Sequence, residues 1–479
     1  MAVLEHLEPK SVFHFFEEIS KIPRGSGNIQ AISDWLVNFA KERDLEVHRD
    51  ALQNVIIIKE ATPGYEKAEP IIIQGHMDMV CEKAPGCQKD MAAEGLDLAV
   101  DGDIIYAKET TLGGDDGIAV AMALAILDAD DLYHPRVEAV ITVDEEIGLI
   151  GAAGIDVSPL KGHRMMNLDS EEEGIFTVSC AGGNDSHCVL PVTRAAYPGT
   201  VLTIQVGGLI GGHSGAEIDK GRGNANLIMG RVLYEASRKA DQRLVRVDGG
   251  QKDNVIPRAS VAVIVSADAE AVKRSCQATE AALKNEYQAT DPDVCVTAVE
   301  GTAEWAPMDA DSTQRAITML HCIPNGIQSM SAEMPGLVQT SLNLGALMTN
   351  ETEVEGGSCV RSSIGSEKDM ITDRLICLMD QLGGNVEVHG DYPGWAYAKE
   401  SPLRDLLSQV FAAQYGHDPK IEAIHAGLEC GMFVDKIPGL DCISLGPDLE
   451  EIHTCREKLH IASVQRVWKM LVEALRCMK

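Results

Sequence analysis

Histidine and acidic side chains follow several apolar runs of this sequence, at positions where they could bind a metal ion. The stretch IIIQGHMDMV at 71–80 begins as an apolar strand and then reaches His76 and Asp78. In an extended chain, residues two positions apart point to the same face, so these two side chains would lie together. A metal-bound histidine commonly shares its second ring nitrogen with a carboxylate. The pair suggests a metal ligand with its orienting carboxylate, although a polar strand end is the simpler interpretation of the tripeptide alone.

Three acidic clusters and one further histidine have the same placement. They are Asp115 and Asp116 in GGDDG, Asp144, Glu145 and Glu146 in VDEEIG, Asp169 in NLDSEEEG, and His453 after DCISLGP. Carboxylates that converged without cations would repel one another, and some would be forced to protonate. A pair of divalent cations removes this conflict, because its charge balances three carboxylates and a hydroxide. Each cluster alone is more typical of a turn or a solvated helix start, but their repeated placement favours a two-metal site.

The adjacent glutamates Glu145 and Glu146 suit two different roles in such a site. If one of them binds metal, the other is held beside the metal-bound water without being used as a ligand. A free carboxylate in that position can take a proton from the water and act as a general base. His460, seven residues after His453, is a rival metal ligand. The sequence contains no phosphate-binding loop and no Ser or Cys nucleophile in a known arrangement.

The elements that must position these residues show two different patterns of predicted strands and helices. The first part of the chain alternates apolar strands with helices, which predicts a mixed α/β sheet. Its predicted elements are helices at 11–21, 28–43 and 118–127, and strands at 54–59, 70–74 and 139–143. The residues of GGDDG are expected to form a loop that leads into the third helix.

After about residue 185 the chain reads as an α+β layer without acidic clusters at its strand ends. Strands are predicted at 200–206, 260–267 and 340–347, and helices at 226–240, 268–288 and 366–382. From about residue 391 the chain again resembles its first part, with helices predicted at 402–414 and 463–477. We therefore predict a discontinuous domain formed by 1–185 and 391–479, which is interrupted by an inserted domain at 186–390.

Composition limits the classes of protein to which the chain can belong. A length of 479 residues predicts two or three domains rather than one. The 41 basic and 73 acidic side chains give a net charge of −32, which argues against nucleic acid and anionic membranes as partners. No secretory signal or membrane span is recognisable, and thirteen cysteines without a Cys-x-x-Cys pair favour a reducing cytosol. We expect a cytoplasmic protein.

Seven motifs of the chain resemble those of the co-catalytic zinc metallopeptidases, the superfamily that includes aminoacylase, carboxypeptidase G and carnosinase. They are GHMDMV, TTLGGDDGIAVA, VDEEIGLIGA, NLDSEEEG, GGHSGAEIDKGRGNAN, YPGW and HAGLECG. The resemblance runs from near residue 10 to the C-terminus. The GGHSG and HAGLECG stretches are most similar to the Xaa-His dipeptidase branch, also called aminoacyl-histidine dipeptidase, peptidase D or beta-alanyl-histidine dipeptidase. This resemblance implies a mixed-sheet α/β zinc-exopeptidase domain with an inserted α+β lid domain that also serves dimerisation.

The resemblance also implies a ligand for each metal position. His76 and Asp169 are expected to bind one metal ion, and Glu146 and His453 to bind the other. Asp115 is expected to bridge the two ions. The segment HTCRE departs here from the family's His-Ser-Pro-Asp-Glu pattern, although its first and last residues keep their places.

Further residues receive catalytic or substrate-binding roles from the same resemblance. Asp78 is expected to orient the metal-binding histidine, and Glu145 to act as the general base and later as the acid. His213 is expected to stabilise the tetrahedral oxyanion, and Arg361 to bind the C-terminal carboxylate of the substrate. The residues expected to shape the substrate pocket are Gly427 and Glu429.

Together these expectations describe a metal-dependent cytosolic dipeptidase, a homodimer that hydrolyses unblocked dipeptides and prefers Xaa-His or carnosine-like substrates. The reaction would proceed by attack of a metal-bridging water that Glu145 activates. The expected cofactors are two divalent ions, zinc in the first place, with cobalt or manganese as alternatives because they accept the same ligands. The alternatives are a broad-specificity di- or tripeptidase and an N-acyl-amino-acid amidohydrolase on the same site. A catalytically inactive metal-binding or scaffold protein is disfavoured because Glu145 is present.

Overall fold

The computed structural model describes residues 3–479, which divide into two compact units. Unit 1 comprises Met1–Ser179, Tyr397–Ala423 and Leu428–Lys479, and unit 2 comprises Cys180–Ala396 and Ile424–Gly427. Within the described residues, no helix is both long and apolar enough to span a bilayer.

The first segment of unit 1 contains four helices and eight strands. In chain order they are α1 (Lys10–Ser20), α2 (Gln30–Glu42), β1 (Glu46–Arg49), β2 (Val55–Lys59), β3 (Ile71–His76), β4 (Leu98–Asp101), β5 (Ile104–Ala107), α3 (Gly114–Asp128), β6 (Val137–Thr142), α4 (Ile150–Gly154), β7 (Arg164–Asn167) and β8 (Ile175–Cys180). The last residue of β8 already belongs to unit 2.

Unit 2 contains four helices, one short 3₁₀ helix and eleven strands. In chain order they are β9 (Gly182–Pro191), β10 (Thr200–Gly207), β11 (Gly212–His213), the 3₁₀ helix Ile218–Lys220, α5 (Ala225–Ser237), β12 (Gln242–Gly249), β13 (Val255–Ile256), β14 (Ser260–Ser266), α6 (Ala269–Glu286), β15 (Cys295–Glu300), α7 (Ala310–Cys322), β16 (Gly326–Met330), β17 (Val338–Thr349), β18 (Glu353–Ser362), α8 (Gly365–Leu382) and β19 (Asn385–Tyr392).

The chain then returns to unit 1 for its last elements. They are α9 (Pro402–Tyr415), β20 (Lys420–Ile424), α10 (Glu429–Lys436), β21 (Asp441–Ser444), β22 (Leu449–Glu450), β23 (Lys458–His460) and α11 (Ile461–Cys477).

An eight-stranded mixed sheet forms the centre of unit 1, in the order β1-β2-β6-β3-β7-β21-β8-β20. Strand β3 pairs in parallel with β6 and β7, and β21 pairs in parallel with β7. All six residues of β3 and all six of β6 are buried, which is typical of parallel strands covered on both faces. Because the carboxyl ends of parallel strands meet at one edge of a sheet, the residues that follow these strands are brought together.

Two further features of unit 1 complete this edge. Helix α3 is apolar on all sides, and every residue from Gly114 to Leu127 is buried, as expected for a helix inside a core. A second sheet, in the order β22-β23-β5-β4, is antiparallel and carries the loop between β22 and β23. This loop contains His453.

A nine-stranded sheet forms the centre of unit 2, in the order β15-β10-β14-β12-β17-β18-β9-β19, with β16 paired to β17. All of its recorded strand pairs are antiparallel. Leu342, Leu344 and Val360 pack with apolar residues of α5 to α8 in one core. Because side chains alternate along a strand, Ser341 and Arg361 point to the opposite, helix-free face.

The predicted mixed α/β fold class is confirmed, and one local prediction is wrong. Residues 114–117 were expected to form a loop before the helix, whereas α3 begins at Gly114 and includes Asp115 and Asp116. These two acidic residues have non-helical backbone angles inside the hydrogen-bonded helix start. Their polar, glycine-flanked sequence is typical of a turn, so the local pattern could not show where the hydrogen bonding begins.

Candidate metal centre

Five side chains of unit 1 that were predicted to bind metal meet at one edge of its central sheet. His76 is the last residue of β3, Glu146 follows β6, and Asp169 follows β7. Asp115 comes from the first turn of α3, and His453 from the loop between β22 and β23. The parallel strands therefore supply three of these groups, and two segments distant in sequence supply the others.

The carboxylate of Asp115 lies between two histidine rings. Its Oδ1 is 3.2 Å from His76 Nε2, and its Oδ2 is 3.1 Å from His453 Nε2. Asp169 Oδ1 lies 3.6 Å from His76 Nε2, and Glu146 Oε2 lies 2.9 Å from His453 Nε2. Donor atoms of Asp115, Glu146 and His453 all lie within 4.8 Å of one another. The geometry offers two groups of imidazole and carboxylate donors that share one aspartate, and each group could hold a divalent cation.

Asp78 connects His76 to the adjacent glutamates. Its buried Oδ1 lies 3.4 Å from His76 Nδ1, so the opposite ring nitrogen, Nε2, faces the other carboxylates. The same carboxylate accepts the Ser26 hydroxyl at 2.7 Å and the backbone N–H of Glu145 at 3.1 Å. Burial opposes ionisation of Asp78, but it is outweighed by the hydrogen bond and charge of His76 together with the hydrogen bonds from Ser26 and the backbone of Glu145, so the pKa of this carboxyl is lowered.

Excess negative charge distinguishes the electrostatics of the centre. Burial raises the pKa of Glu145 to about 9, and the carboxylates of Asp169, Glu429 and Glu146 add to this despite the opposing effect of His76. Burial likewise raises the pKa of Asp169 to about 6. Hydrogen bonds to Asp115 and Glu146 raise the pKa of His453 to about 10. Carboxyl groups that hold protons so strongly are those that a nearby divalent cation would ionise.

Two buried charged residues near the centre have roles that the sequence did not indicate. Glu457, only 3% exposed, accepts four consecutive backbone N–H groups at the start of α3. They belong to Leu112, Gly113, Gly114 and Asp115, at 2.8, 2.9, 2.8 and 3.2 Å. Arg24 is buried and donates to the backbone oxygens of Met77 and Asp78 at 3.0 and 3.2 Å. The sequence pointed to Glu457, because it keeps the last position of the family pattern in HTCRE. Nothing comparable pointed to Arg24, which lies in an ordinary turn motif.

Asp116 is a third group that sequence reasoning left without a role. Its Oδ2 accepts the backbone N–H of His76 at 3.1 Å, and its donor atoms group with those of His76 and Asp169 within 4.8 Å. Burial, followed by the charge of Asp169, raises its pKa well above the ordinary value. Asp116 therefore supports the strand end that carries His76 and lies beside the first group of donors.

Glu429 lies in the interior of unit 1, and His460 lies outside the compact donor groups of the described residues. Glu429 begins α10 and has no exposed surface, and its Oε2 accepts the Thr142 hydroxyl at 2.6 Å. Burial raises its pKa to about 7. Glu429 is thus an interior residue of unit 1, and its charge adds to the raised pKa of Glu145. His460, the rival ligand, lies 3.1 Å from Glu450 and belongs to none of the three compact donor groups found in residues 3–479.

Two residues beside the centre hold backbone angles that are rare outside glycine. The φ angles are 59° at His453 and 51° at Asp144. Asp144 Oδ1 accepts the backbone N–H of Gly27 at 2.6 Å, which fixes the turn that carries the adjacent glutamates. Such angles persist only where surrounding contacts hold them, and they concentrate at functional sites.

The predicted oxyanion-stabilising residue, His213, lies at the exposed end of β11 in unit 2. Its Nδ1 accepts the backbone N–H groups of Gly215 and Ala216, both at 3.1 Å. Nδ1 is thereby fixed as an acceptor, so the ring hydrogen lies on Nε2. Burial and the positive charge of Arg361 lower the pKa of His213. The side chain is therefore a neutral imidazole with one N–H available as a donor.

Arg361, expected to bind the substrate carboxylate, is only 8% exposed on the helix-free face of the unit 2 sheet. Its Nη1 donates to the Tyr392 hydroxyl at 3.4 Å, and its buried Nε has no hydrogen-bond partner. None of the carboxylates in residues 3–479 forms an ion pair with it. Gly427 lies under the Tyr392 ring, where an added Cβ would be 3.0 Å from Cε2.

Comparison with known proteins gives consistent matches over nearly the whole chain. Peptidase family M20/M25/M40 matches residues 72–476. The cytosol non-specific dipeptidase of Escherichia coli (strain K12) is 36% identical over 480 aligned positions, which cover 99% of both chains. The crystal structure of aminoacylhistidine dipeptidase from Vibrio alginolyticus, 35% identical, gives a TM-score of 0.95 and covers 99% of this chain and 98% of that one. Aminopeptidase PepT from Bacillus cereus, 17% identical with a TM-score of 0.57, covers 98% of this chain and 99% of its own and shares the fold.

Proposed function

The chain belongs to peptidase family M20/M25/M40, and on that premise we propose that it is a metal-dependent dipeptidase that prefers Xaa-His substrates. Two relatives that align with almost its full length are named as dipeptidases, and one of them as an aminoacylhistidine dipeptidase. The observation that carries the proposal is the carboxylate of Asp115 between the rings of His76 and His453, at 3.2 and 3.1 Å. The half-buried Glu145 lies beside these groups.

The proposed cofactors are two divalent ions, zinc in the first place, with cobalt and manganese as alternatives. The fit rests on the donor set, since imidazole and carboxylate oxygens suit all three metals, and on the excess negative charge described above. His76 and Asp169 would hold one ion, Glu146 and His453 the other, and Asp115 both. Such ions supply Lewis acidity to the scissile carbonyl and lower the pKa of water.

Glu145 is the residue that we assign to proton transfer. Partial burial and acidic neighbours raise its affinity for a proton, and once nearby cations ionise it, the resulting carboxylate would be a strong base for the attacking water. The same carboxyl then returns a proton to the leaving amine. Asp78 holds the backbone of Glu145 through the hydrogen bond at 3.1 Å, so the base is fixed relative to His76.

Two residues of unit 2 receive roles toward the substrate. We assign Arg361 to the C-terminal carboxylate, because a buried guanidinium without an acidic partner is costly and its fork matches a carboxylate. Gly427 supports this arrangement by leaving room for Tyr392. His213 is assigned to the developing oxyanion, because its Nε2–H is a fixed neutral donor. The inserted domain, predicted at 186–390, would act as the lid and the dimerisation domain.

Location and assembly complete the proposal. A cytoplasmic location is supported by the cytosolic relative, and a homodimer by the family resemblance of the inserted domain. The net charge of −32 supports a protein without nucleic acid or membrane partners.

A hydrolysis panel tests the substrate and the role of Arg361. The purified protein, loaded in turn with zinc, cobalt and manganese, is assayed on Ala-His, Gly-His, beta-Ala-His, Leu-Leu, a tripeptide, N-acetyl-alanine and C-terminally amidated Ala-His. We expect the Xaa-His dipeptides to be cleaved best and the amidated peptide to be rejected, because its terminus cannot neutralise the buried guanidinium. Equal cleavage of amidated Ala-His would remove Arg361 from the proposal.

Other outcomes of the panel separate the alternatives. Activity on Leu-Leu or the tripeptide with none on any Xaa-His substrate would indicate a general di- or tripeptidase. Activity confined to N-acetyl-alanine would indicate an amidohydrolase. No activity with any of the three metals would leave the scaffold alternative and end the proposal of a peptidase.

A further inference from the structure

A cavity of about 380 Å³ in unit 2 is lined by Arg361 and other charged and polar residues. Residues of β9, β18 and β19 line it, together with the segment that precedes β13. Its charged residues are Asp185, Lys252, Asp253 and Arg361. The cavity therefore combines groups of opposite charge within a volume that suits one amino-acid side chain.

The basic part of the cavity is a buried side chain that lacks an acidic partner. Arg361 is more than nine-tenths buried, and its Nε has neither solvent nor a hydrogen-bond acceptor. The hydroxyl of Tyr392 is its one recorded side-chain partner within the described chain, at 3.4 Å. Lys252 differs, because it is exposed at the rim and its charge is solvated.

The acidic part consists of Asp185 and Asp253. Asp253 Oδ2 lies 3.2 Å from His187 Nε2, whereas Asp185 forms no ion pair with any described residue and contacts the thiol of Cys359. The chain leaves space for these groups, since a Cβ at Gly357 would lie 2.2 Å from Asp253 Oδ1. Asp185, which has no ion-pair partner among the described residues, is a binding group in this cavity for a ligand that carries hydrogen-bond donors.

The strand register sets the separation of the two parts. Arg361 and Cys359 are two residues apart on β18 and share a face, and Asp185 lies directly opposite Cys359 on β9. Two residues of a strand span about 7 Å. The backbones that carry the two parts are therefore about this far apart, and both parts border the same cavity.

We propose that this cavity is the subsite for the side chain of the substrate's C-terminal residue, and that Asp185 and Asp253 select side chains with N–H donors or positive charge. The inference rests on the proposed dipeptidase function and on the assignment of the C-terminal carboxylate to Arg361. It extends the preferred class from Xaa-His to Xaa-Lys and Xaa-Arg. An apolar side chain would desolvate the carboxylate of Asp185 without pairing it, and an acidic side chain would be repelled.

The first test compares two dipeptides whose C-terminal residues have similar length but different charge. The kcat/KM of wild-type protein and of Asp185→Asn is measured on Ala-Lys and on Ala-Met. We expect the wild type to favour Ala-Lys, and Asp185→Asn to lose about tenfold on Ala-Lys, the effect of one hydrogen bond to a charged group. Turnover of Ala-Met should change little. The matched control is Asp373→Asn on the exposed side of α8, which should leave both values unchanged.

The second test does not depend on turnover. Binding of free L-lysine and L-norleucine, which represent the C-terminal products, is measured by calorimetry for wild type, Asp185→Asn and Asp253→Asn. A preference for lysine that both variants lose supports the subsite. Equal binding of the two amino acids by the wild type overturns it, and so does an equal loss of both in the variants, since that indicates a structural role. If the protein prefers lysine but cleaves no dipeptide, the result supports the subsite and refutes the proposed function.

Discussion

The carboxylate of Glu457 accepts the backbone N–H of Asp115 at 3.2 Å, although 342 residues separate the two in the chain. The three preceding N–H groups donate to the same carboxylate. One buried acid near the C-terminus thus fixes the start of α3, and with it the aspartate that lies between His76 and His453. This contact positions the backbone of Asp115, the shared residue of the candidate metal centre.

Replacement of Glu457 by Gln should weaken metal binding without removing any donor atom. The amide keeps one acceptor oxygen, but its NH₂ group faces N–H donors of the same loop and repels them. We expect metal affinity to fall by about 10- to 100-fold, the usual effect of residues that orient ligands. Competition with a chromophoric chelator measures it. Glu451→Gln is the control, because that carboxylate is exposed and pairs with Arg456. Equal affinities of Glu457→Gln and wild type would contradict the role.

Metal content is the most direct prediction. We expect two divalent ions per chain, roughly 3.5–4 Å apart as in other two-metal sites, with Asp115 between them. Elemental analysis of the purified protein and a crystal structure of the loaded form check this. Treatment with a chelator should abolish hydrolysis, and addition of zinc, cobalt or manganese should restore it. A single ion, with Asp115 turned away from it, would refute the two-metal arrangement.

Replacement of Glu145 and replacement of Glu146 should affect different properties of the protein. Glu145→Gln keeps shape and removes the base, so kcat should fall by at least about 10²-fold while metal content remains near that of wild type. Glu146→Gln should lose metal, because its Oε2 lies 2.9 Å from His453 Nε2 in the second donor group. Loss of metal in Glu145→Gln but not in Glu146→Gln would mean that the two roles are reversed.

His213→Ala tests the oxyanion role of the imidazole. We expect kcat to fall by about 10²- to 10³-fold, because a donor that acts mainly in the transition state is lost, while KM changes less. Steady-state kinetics on Ala-His gives both values. His321→Ala is a suitable control, since that ring stacks on Tyr234 in the helical layer of unit 2. Near-normal turnover of His213→Ala would leave the inserted domain with only a structural or dimerisation role.

The metal-free protein should lose stability as pH rises. The pKa is raised to about 9 for Glu145, 7 for Glu429, 6 for Asp169 and 10 for His453, so the folded chain binds more protons than the unfolded one. Under this condition the free energy of unfolding falls with pH across the range between unfolded and folded pKa values. The carboxyl contribution is complete below about pH 4 and is lost by about pH 9. The pKa of Asp115 is lowered in the folded protein. Its carboxyl is therefore ionised in both the folded and the unfolded chain above about pH 4, and it does not change the pH dependence of stability in this range.

Thermal unfolding at pH 5.5 and pH 8.5 measures this effect. The chelator-treated protein should melt at a lower temperature at pH 8.5, and metal loading should reduce the difference because the ions replace the protons. The loaded protein also serves as the control for general repulsion among the surface charges. A metal-free protein that is more stable at pH 8.5 than at pH 5.5 would contradict the prediction.

The sequence predicted the parts of the centre that follow a local pattern. His76 and Asp169 stand after apolar runs that became buried parallel strands, and strand ends of this kind gather at one edge by a general rule. The adjacent glutamates could also be identified from the sequence as candidates. Two neighbouring acids after a strand have a chemical reason to differ in role, because one can bind metal while the other acts as a base. The pattern and the side-chain chemistry gave these candidate positions, and the family resemblance gave the role of each residue.

The remainder depended on contacts between distant segments, which leave no local pattern. Nothing near Arg24 shows that its guanidinium would be buried against the backbone that carries Asp78. The motif that contains Glu429 likewise gives no sign that its carboxylate would accept the hydroxyl of Thr142. The start of α3 was misplaced because turn-forming residues occupy a hydrogen-bonded helix start.

The position of β21 in the central sheet has a consequence for synthesis on the ribosome. This strand, Asp441–Ser444, lies between β7 and β8, both of which are complete by residue 180. While the intervening chain is being translated, these two strands expose unpaired backbone groups at the gap that β21 later fills, and such edges invite pairing with other chains. The central sheet therefore stays open between β7 and β8 until residues 441–444 are available to pair with them.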